Sequence, residues 1–295
     1  MATIYRTIYS RTKHNDRSKK YKRRKSILRR LSESPKAQKV ETVMLPVAFG
    51  ILVVALWQGK ILHRLFHTDT FVLPVPTKIF GIMGGITDKV IGNTIDTLLV
   101  AGIGLLLGSI IGYLVAVIAS FLPNMGKGGL TIVGAFASIP IAALAPVMNN
   151  WTKDVSTEAS FRSMISKILV VLLIAAANMG LNAYRGLTEL KPYALDLMAT
   201  YAASKRRIFV KLQLPNSLPY VFIALKVSVP ASIMTAIVSE YFAEYITGIG
   251  RQIRENIVLA QYSIAWVYIT VACMIGIVSY ALLMVIQSLV LKRYR

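Results

Sequence analysis

Few residues in this sequence are placed to do chemistry, and most of them lie inside apolar runs. Asn178 and Asn182 stand four apart, on one face of a helix. Ser228, Ser232, Thr235 and Ser239 recur at spacings of four, three and four, with Lys226 at one end and Glu240 at the other. Hydroxyls and amides facing lipid are costly, so both sets should face protein or a water-filled passage. Helix–helix hydrogen bonding and lining a pathway fit the hydroxyl stripe equally well. Lys226 lies about two turns inside Pro219, close enough to snorkel to the aqueous boundary. Glu240 and Glu244, near the other boundary, could frame a gate or meet a docking protein.

His63 and His67 have metal-ligand spacing, but no Glu sits between them as a zinc protease needs, and no third ligand is in view. A solvated or interfacial pair is the plainer reading. Cys273 is the sole cysteine, which excludes an internal disulfide, and in its apolar run it reads as a small core residue. There is no Gly-x-x-x-x-Gly-Lys-Ser/Thr loop to cradle ATP, no Gly-x-Ser-x-Gly elbow, and no acidic pair in the apolar runs for intramembrane hydrolysis. The chain itself is expected to bind no metal and no cofactor.

The elements that must hold these residues are membrane helices. Of 295 residues 55% are hydrophobic and only 16% charged, with a mean hydropathy of +0.58, against roughly 25% charged in a soluble domain. A crossing needs about 20 mostly apolar residues. Six runs qualify: 43–62, 98–122, 130–148 (bent or interrupted by Pro140 and Pro146), 168–184, 219–242 and 263–291. The expected fold is an all-α polytopic membrane protein. In the second run Gly104, Gly108, Gly112, Ala116 and Ser120 recur every four residues, a small-residue face on which another helix can approach closely.

The net charge of +21 is unevenly spread. Residues 1–42 hold 14 Lys and Arg against three acids, which suits a disordered basic arm retained in the cytoplasm. It is too long for a signal peptide, and no small-residue cleavage site follows Trp57. The arm should fix orientation and touch anionic lipid; no nucleic-acid partner is expected. With six crossings and an inner N-terminus, the inner segments carry 24 Lys and Arg and the outer ones nine, so both termini are assigned to the cytoplasm.

The 185–218 loop holds six of these cations: Arg185, Lys191, Lys205, Arg206, Arg207 and Lys211. Pro192 suits a first helical turn, and Leu195, Met198, Ala199 and Ala202 then share a face. Ala202-Ala203-Ser204 narrows the segment, and Leu214-Pro215 is expected to stop it before Pro219 starts the next crossing. A short surface helix, small on one side and basic on the other, suits docking of a soluble partner.

This arrangement resembles the EAA loop of permease subunits of binding-protein-dependent ABC importers. Anchored on Leu214-Pro215, the motif's positions fall on Asp196, Leu197, Met198, Ala202 and Leu212; the acid and the spacing are kept, Ala202 replaces the family's glycine, and the two alanines are lost. Val72-Leu73-Pro74-Val75-Pro76 is similar to the "LPSP" stretch of the nitrate, sulfonate, taurine and thiamine-precursor branch. Ile139-Pro140 with Ala143 to Pro146, Ser166-Lys167-Ile168, Ala224-Leu225-Lys226, and Ser239-Glu240 followed by Gly248-Ile249-Gly250 resemble further segments of that branch. The likeness runs from about residue 43 onward; the arm lies outside it, and the 150–161 stretch fits poorly.

The resemblance implies a type I importer permease domain over 43–295, in the multi-pass plasma membrane of a prokaryote. It implies two permeases, a homodimer in the simplest case, with two ATPase subunits that hold ATP-Mg and an extracytoplasmic binding protein. Asp196, Ala199, Tyr201, Ala202, Ala203 and Ser204, with Leu214 and Pro215, would form the helix that couples to the ATPase. The solute would be a small organic anion or a vitamin-like heterocycle. Two other classes remain at this stage. A secondary transporter usually shows internal repeats and midplane ionisable groups, and neither is evident; a membrane-anchored nucleic-acid-binding protein would use the basic arm.

Overall fold

The computed structural model describes residues 35–122, 128–129, 131–132, 134–135, 138–243, 245 and 247–292, so the first 34 residues of the basic arm, Lys127, Glu244, Arg293 and Arg295 lie outside it. Two compact units are distinguished, residues 1–62 and 63–295. In the first, α1 (Pro35–Gln58) begins inside the expected arm and runs without a break into the first apolar run.

The second unit is helical throughout its described elements. They are α2 (Pro76–Gly85), α3 (Thr87–Phe121), α4 (Ile141–Trp151), α5 (Ala159–Thr188), α6 (Ala194–Thr200), α7 (Lys205–Ile208), α8 (Leu214–Tyr241), α9 (Ile249–Val258) and α10 (Tyr262–Leu291). A π-helical turn, Phe209–Gln213, joins α7 to α8. Among the described residues four helices are long and apolar enough to cross a bilayer: α3, α5, the continuous 205–241 helix and α10. Residues 44–58 add a shorter apolar stretch.

The third apolar run is broken. It is helical at its first described positions, turns at Ser138 and Ile139, and restarts as α4 with Pro140 as N-cap. Pro140 has no N–H to give and fixes φ near the value a helix start requires. The second run starts 11 residues earlier than hydropathy indicates, because Asp88, Lys89, Asn93 and Asp96 occupy the first turns of α3. The fourth likewise starts at Ala159, and buries Ser163, Ser166 and Lys167 in its first turns.

The core lies where α3, α5 and α8 meet. Gly104, Gly108, Gly112 and Ala116 are buried along one edge of α3. A Cβ on Gly108 would stand 2.5 Å from the carbonyl oxygen of Leu172 and 2.8 Å from Cβ of Ala175; one on Gly104 would stand 2.6 Å from Cβ of Val171. The two backbones are thus in near contact. Val100, Ala101, Val171, Ile233 and Ala236 fill one end of this three-helix junction, and Ala116, Met179, Ala183, Leu187 and Ala224 the other. Cys273 is exposed on the outer surface of α10 rather than in the core, because α10 turns only a narrow face inward.

Candidate functional site

The loop that links α5 to α8 carries the densest information. Tyr193, in the left-handed region (φ 62°), begins α6. The helix ends in a Schellman motif: Ala203 N–H donates to the Met198 carbonyl at 3.0 Å and Ala202 N–H to that of Ala199 at 2.8 Å. Ala202 takes the left-handed conformation (φ 48°) this motif normally gives to glycine. Its side of the turn explains why an importer motif places glycine at the matching position. Ser204 then opens α7.

The chain brings an exposed apolar group together here. Tyr193 is 82% exposed, Leu195 50%, Leu197 59% and Tyr201 74%. Asp196 and Ala199 are exposed beside them, while Ala203 is half-buried. The expected face of Leu195, Met198, Ala199 and Ala202 misses Tyr193 and Tyr201, the largest exposed groups.

Leu214-Pro215 does not stop the segment. The backbone continues from Lys205 to Tyr241 through the π turn, and both Pro215 and Pro219 sit within the helix. The i→i+5 register of a π turn adds one residue and re-seats carbonyls that a proline leaves without a donor. Side chains just after it fix the loop's other end. Asn216 Nδ2 donates to the Gly186 and Glu189 carbonyls at 2.7 and 3.1 Å, and Gln213 Nε2 donates to that of Leu187 at 3.1 Å. These are carbonyls at the C-terminus of α5, which have no partner inside the helix. The coupling-type loop is therefore clamped to the end of α5.

At the opposite end of the bundle Glu240 is fully buried. Its Oε2 accepts the Gly250 N–H at 2.9 Å and the Thr97 hydroxyl at 2.9 Å. Thr97 Oγ1 accepts the Ile249 N–H, and Asn93 Oδ1 accepts the Gly248 N–H, each at 3.0 Å. Three successive amides at the start of α9 are thus met by side chains of α3 and α8. A carboxylate suits the positive end of a helix. Gly248 (φ 91°) and Gly250 are required because a Cβ on either would collide with the Glu240 carboxylate or the Ile237 carbonyl. Lys167, in the first turns of α5, is buried as well, 3% exposed. Nearby, Ser166 Oγ donates to Asn149 Oδ1 at 2.5 Å, and Asn149 Nδ2 donates to the Phe242 carbonyl at 3.0 Å. The sequence pattern Glu240…Gly248-Ile249-Gly250 signals this arrangement; Asn93, Thr97 and Asn149 carry no such signal.

Ser228, Ser232, Thr235 and Ser239 are each no more than 3% exposed. Buried to that degree in a single chain, they face neighbouring helices. Asn178, Asn182 and Lys226 are half-buried, and Asn182 Nδ2 donates to the Asn178 carbonyl at 2.8 Å, so its side chain folds along its own helix. The histidine pair is separated in role. His63 is buried with Nε2 2.6 Å from the Leu73 carbonyl, and His67 is exposed with φ 50°.

Residues 104–295 match the family described as the binding-protein-dependent transport system inner membrane component. The chain belongs to this family. It is 25% identical over 197 residues to the formylaminopyrimidine transport permease protein ThiX of Halalkalibacterium halodurans, covering 66% of this chain and 74% of that one. It is 23% identical over 227 residues to the bicarbonate transport system permease protein CmpB of Synechocystis sp., covering 70% and 74%. Its fold is similar to a chain in the crystal structure of a bacterial ABC transporter involved in the import of the acidic polysaccharide alginate, with a TM-score of 0.57, 15% identity, and 86% of this chain and 98% of that one covered. The chain is a permease subunit of an ABC importer in a prokaryotic plasma membrane. It is a transport subunit and not an enzyme, and ATPase and substrate-binding partners go with the family in general.

Proposed function

We propose that two copies of this permease form the pathway for a small solute, and that α6 with the following turn seats in a groove of a separate ATPase subunit. The observation that carries this is the exposed set Tyr193, Leu195, Leu197 and Tyr201 on and beside a seven-residue helix whose end is fixed by its Schellman turn. Apolar and aromatic side chains left in water at this density are what a docking surface needs. ATP-Mg belongs to the ATPase, and this chain holds no cofactor of its own. Closure of the ATPase pair moves α6, and the clamp between Asn216 and the end of α5 passes that movement to the crossing helices.

Both termini face the cytoplasm in this reading, with the basic arm 1–42 setting orientation and resting on lipid. The opposite end, around Glu240 and α9, meets an extracytoplasmic binding protein. Asn178, Asn182 and Lys226, the half-buried polar groups of the crossing helices, are the pathway candidates, and the Ser228–Ser239 hydroxyls serve packing. The named solutes of the two relatives, a formylaminopyrimidine and bicarbonate, support a small polar heterocycle or anion.

Affinity purification of the tagged permease from its native membrane tests the reading. An ATPase and a binding protein should accompany it. Leu197→Asp and Ala203→Asp should each lose the ATPase and abolish uptake while the permease stays in the membrane. Full ATPase recovery with both variants would overturn the docking assignment.

A further inference from the structure

The coupling loop has a second surface, chemically unlike the first. Lys205, Arg206, Arg207 and Lys211 are all exposed, and no carboxylate pairs with them among the described residues. The only acids between residues 185 and 218 are Glu189 and Asp196. Four uncompensated cations within seven residues repel one another, and such a group persists where an anionic surface neutralises it.

Three contacts put this group at the level where the bundle's helices end. Phe209 packs against Phe121, the last residue of α3, with ring centroids 5.1 Å apart and planes inclined at 42°. Gln213 and Asn216 bond the last carbonyls of α5, as described above. The 205–241 helix has 37 residues, about 55 Å at 1.5 Å per residue, against a hydrocarbon core of about 30 Å. It is too long to lie wholly within the hydrocarbon, and its cation-bearing first turns are the end placed outside it. Val210 and Leu214, interleaved with the cations, are 45% and 39% exposed. Exposed apolar side chains interleaved with long ammonium- and guanidinium-bearing ones, whose heads can snorkel to phosphates, suit a segment at the headgroup level.

We propose that Lys205, Arg206, Arg207 and Lys211 form a contact surface for the phosphates of anionic membrane lipid, distinct from the apolar surface of α6. The placement separates two jobs within one loop. Tyr193, Leu197 and Tyr201 are left for the soluble partner, and the cations hold the root of the loop to the bilayer on which that partner pulls. The inference does not depend on which ATPase docks, and it concerns residues outside the basic arm.

The full-length chain, purified in mild detergent with mixed phosphatidylglycerol and phosphatidylcholine, is the test. Lipid retained through size-exclusion chromatography is quantified for the unaltered chain, for the triple variant Arg206→Gln/Arg207→Gln/Lys211→Gln, and for Arg206→Lys/Arg207→Lys. The unaltered chain should retain phosphatidylglycerol preferentially, with the preference falling as salt is raised. The Gln variant should retain at least about twofold less phosphatidylglycerol than the unaltered chain, because the basic arm, common to all three, holds its own share, and the Lys variant should match the unaltered chain. An unchanged preference in the Gln variant, or its loss in the Lys variant, overturns the proposal. So does a salt-insensitive preference in the unaltered chain, which needs no variant to fold. If the Gln variant keeps its lipid and instead loses the ATPase on native purification, the cations belong to the protein partner, and the lipid surface is wrong while the docking of α6 stands.

Discussion

Glu240 Oε2 accepts the Gly250 N–H at 2.9 Å, so the end of α8 caps the start of α9 ten residues on. The same oxygen takes the Thr97 hydroxyl of α3, and three helices are pinned by one buried carboxylate. Gly248 follows from this, since the carboxylate stands where its side chain would be, while at Gly250 the Ile237 carbonyl does so. Glu240→Ala removes the acceptor shared by the Gly250 N–H and the Thr97 hydroxyl and leaves those buried donors unpaired, a loss of about 1–3 kcal/mol. Glu240→Gln keeps an acceptor and should cost less than half of that. Thermal unfolding in detergent should rank the unaltered chain above Gln and Gln above Ala; equal midpoints for the two variants would remove the shared acceptor from the argument.

The close approach of α3 and α5 makes a second prediction with its own control. Gly108→Leu drives a branched side chain into Leu172 and Ala175, and overpacking of this kind costs about 1–3 kcal/mol or separates the helices. Gly102 lies on the same helix with nothing within 4 Å of where a Cβ would go, so Gly102→Ala should be neutral or slightly stabilising. Detergent stability of the two variants checks both, and comparable losses would sink the seam as the cause.

What the sequence discloses and what it hides divide along physical lines. Long apolar runs announce α3, α5, α8 and α10 because lipid demands them. The polar first turns of α3 escape a hydropathy reading although Asn93 and Thr97 work there, each bonding an amide more than 150 residues away. No local pattern encodes such a contact. Leu214-Pro215 reads as a helix stop and Pro219 as the start of the next crossing, and only the π turn before them shows how one helix passes through both. The hydroxyl stripe of α8 is legible as a stripe; that it is buried against neighbouring helices is a fact of packing.

Asn216 gives a prediction about the clamp. Its amide serves two terminal carbonyls of α5, and Asn216→Ala should cost about 1–2 kcal/mol, since those carbonyls have no helical donor. Because the clamp ties the α6 loop to a crossing helix, the variant should hydrolyse ATP in the assembled importer yet move less solute per ATP. An unaltered ratio of solute to ATP would confine Asn216 to stability.

Ala202 supplies the last prediction. Its left-handed conformation costs an L-residue about 1 kcal/mol, and glycine does not bear that cost. Ala202→Gly should therefore tighten the Schellman turn, even though glycine elsewhere loosens a chain. Amide exchange at Ala202 and Ala203, whose N–H groups close the motif, should slow by about fivefold. Ala202→Val should do the reverse, because branching at Cβ makes the left-handed region costlier still. ATPase recovery should follow the same order, since a better-fixed turn presents Tyr193, Leu197 and Tyr201 with less conformational loss on docking. Faster exchange in the glycine variant would mean that the turn is held from outside, by the half-buried side of Ala203, and not by its own backbone.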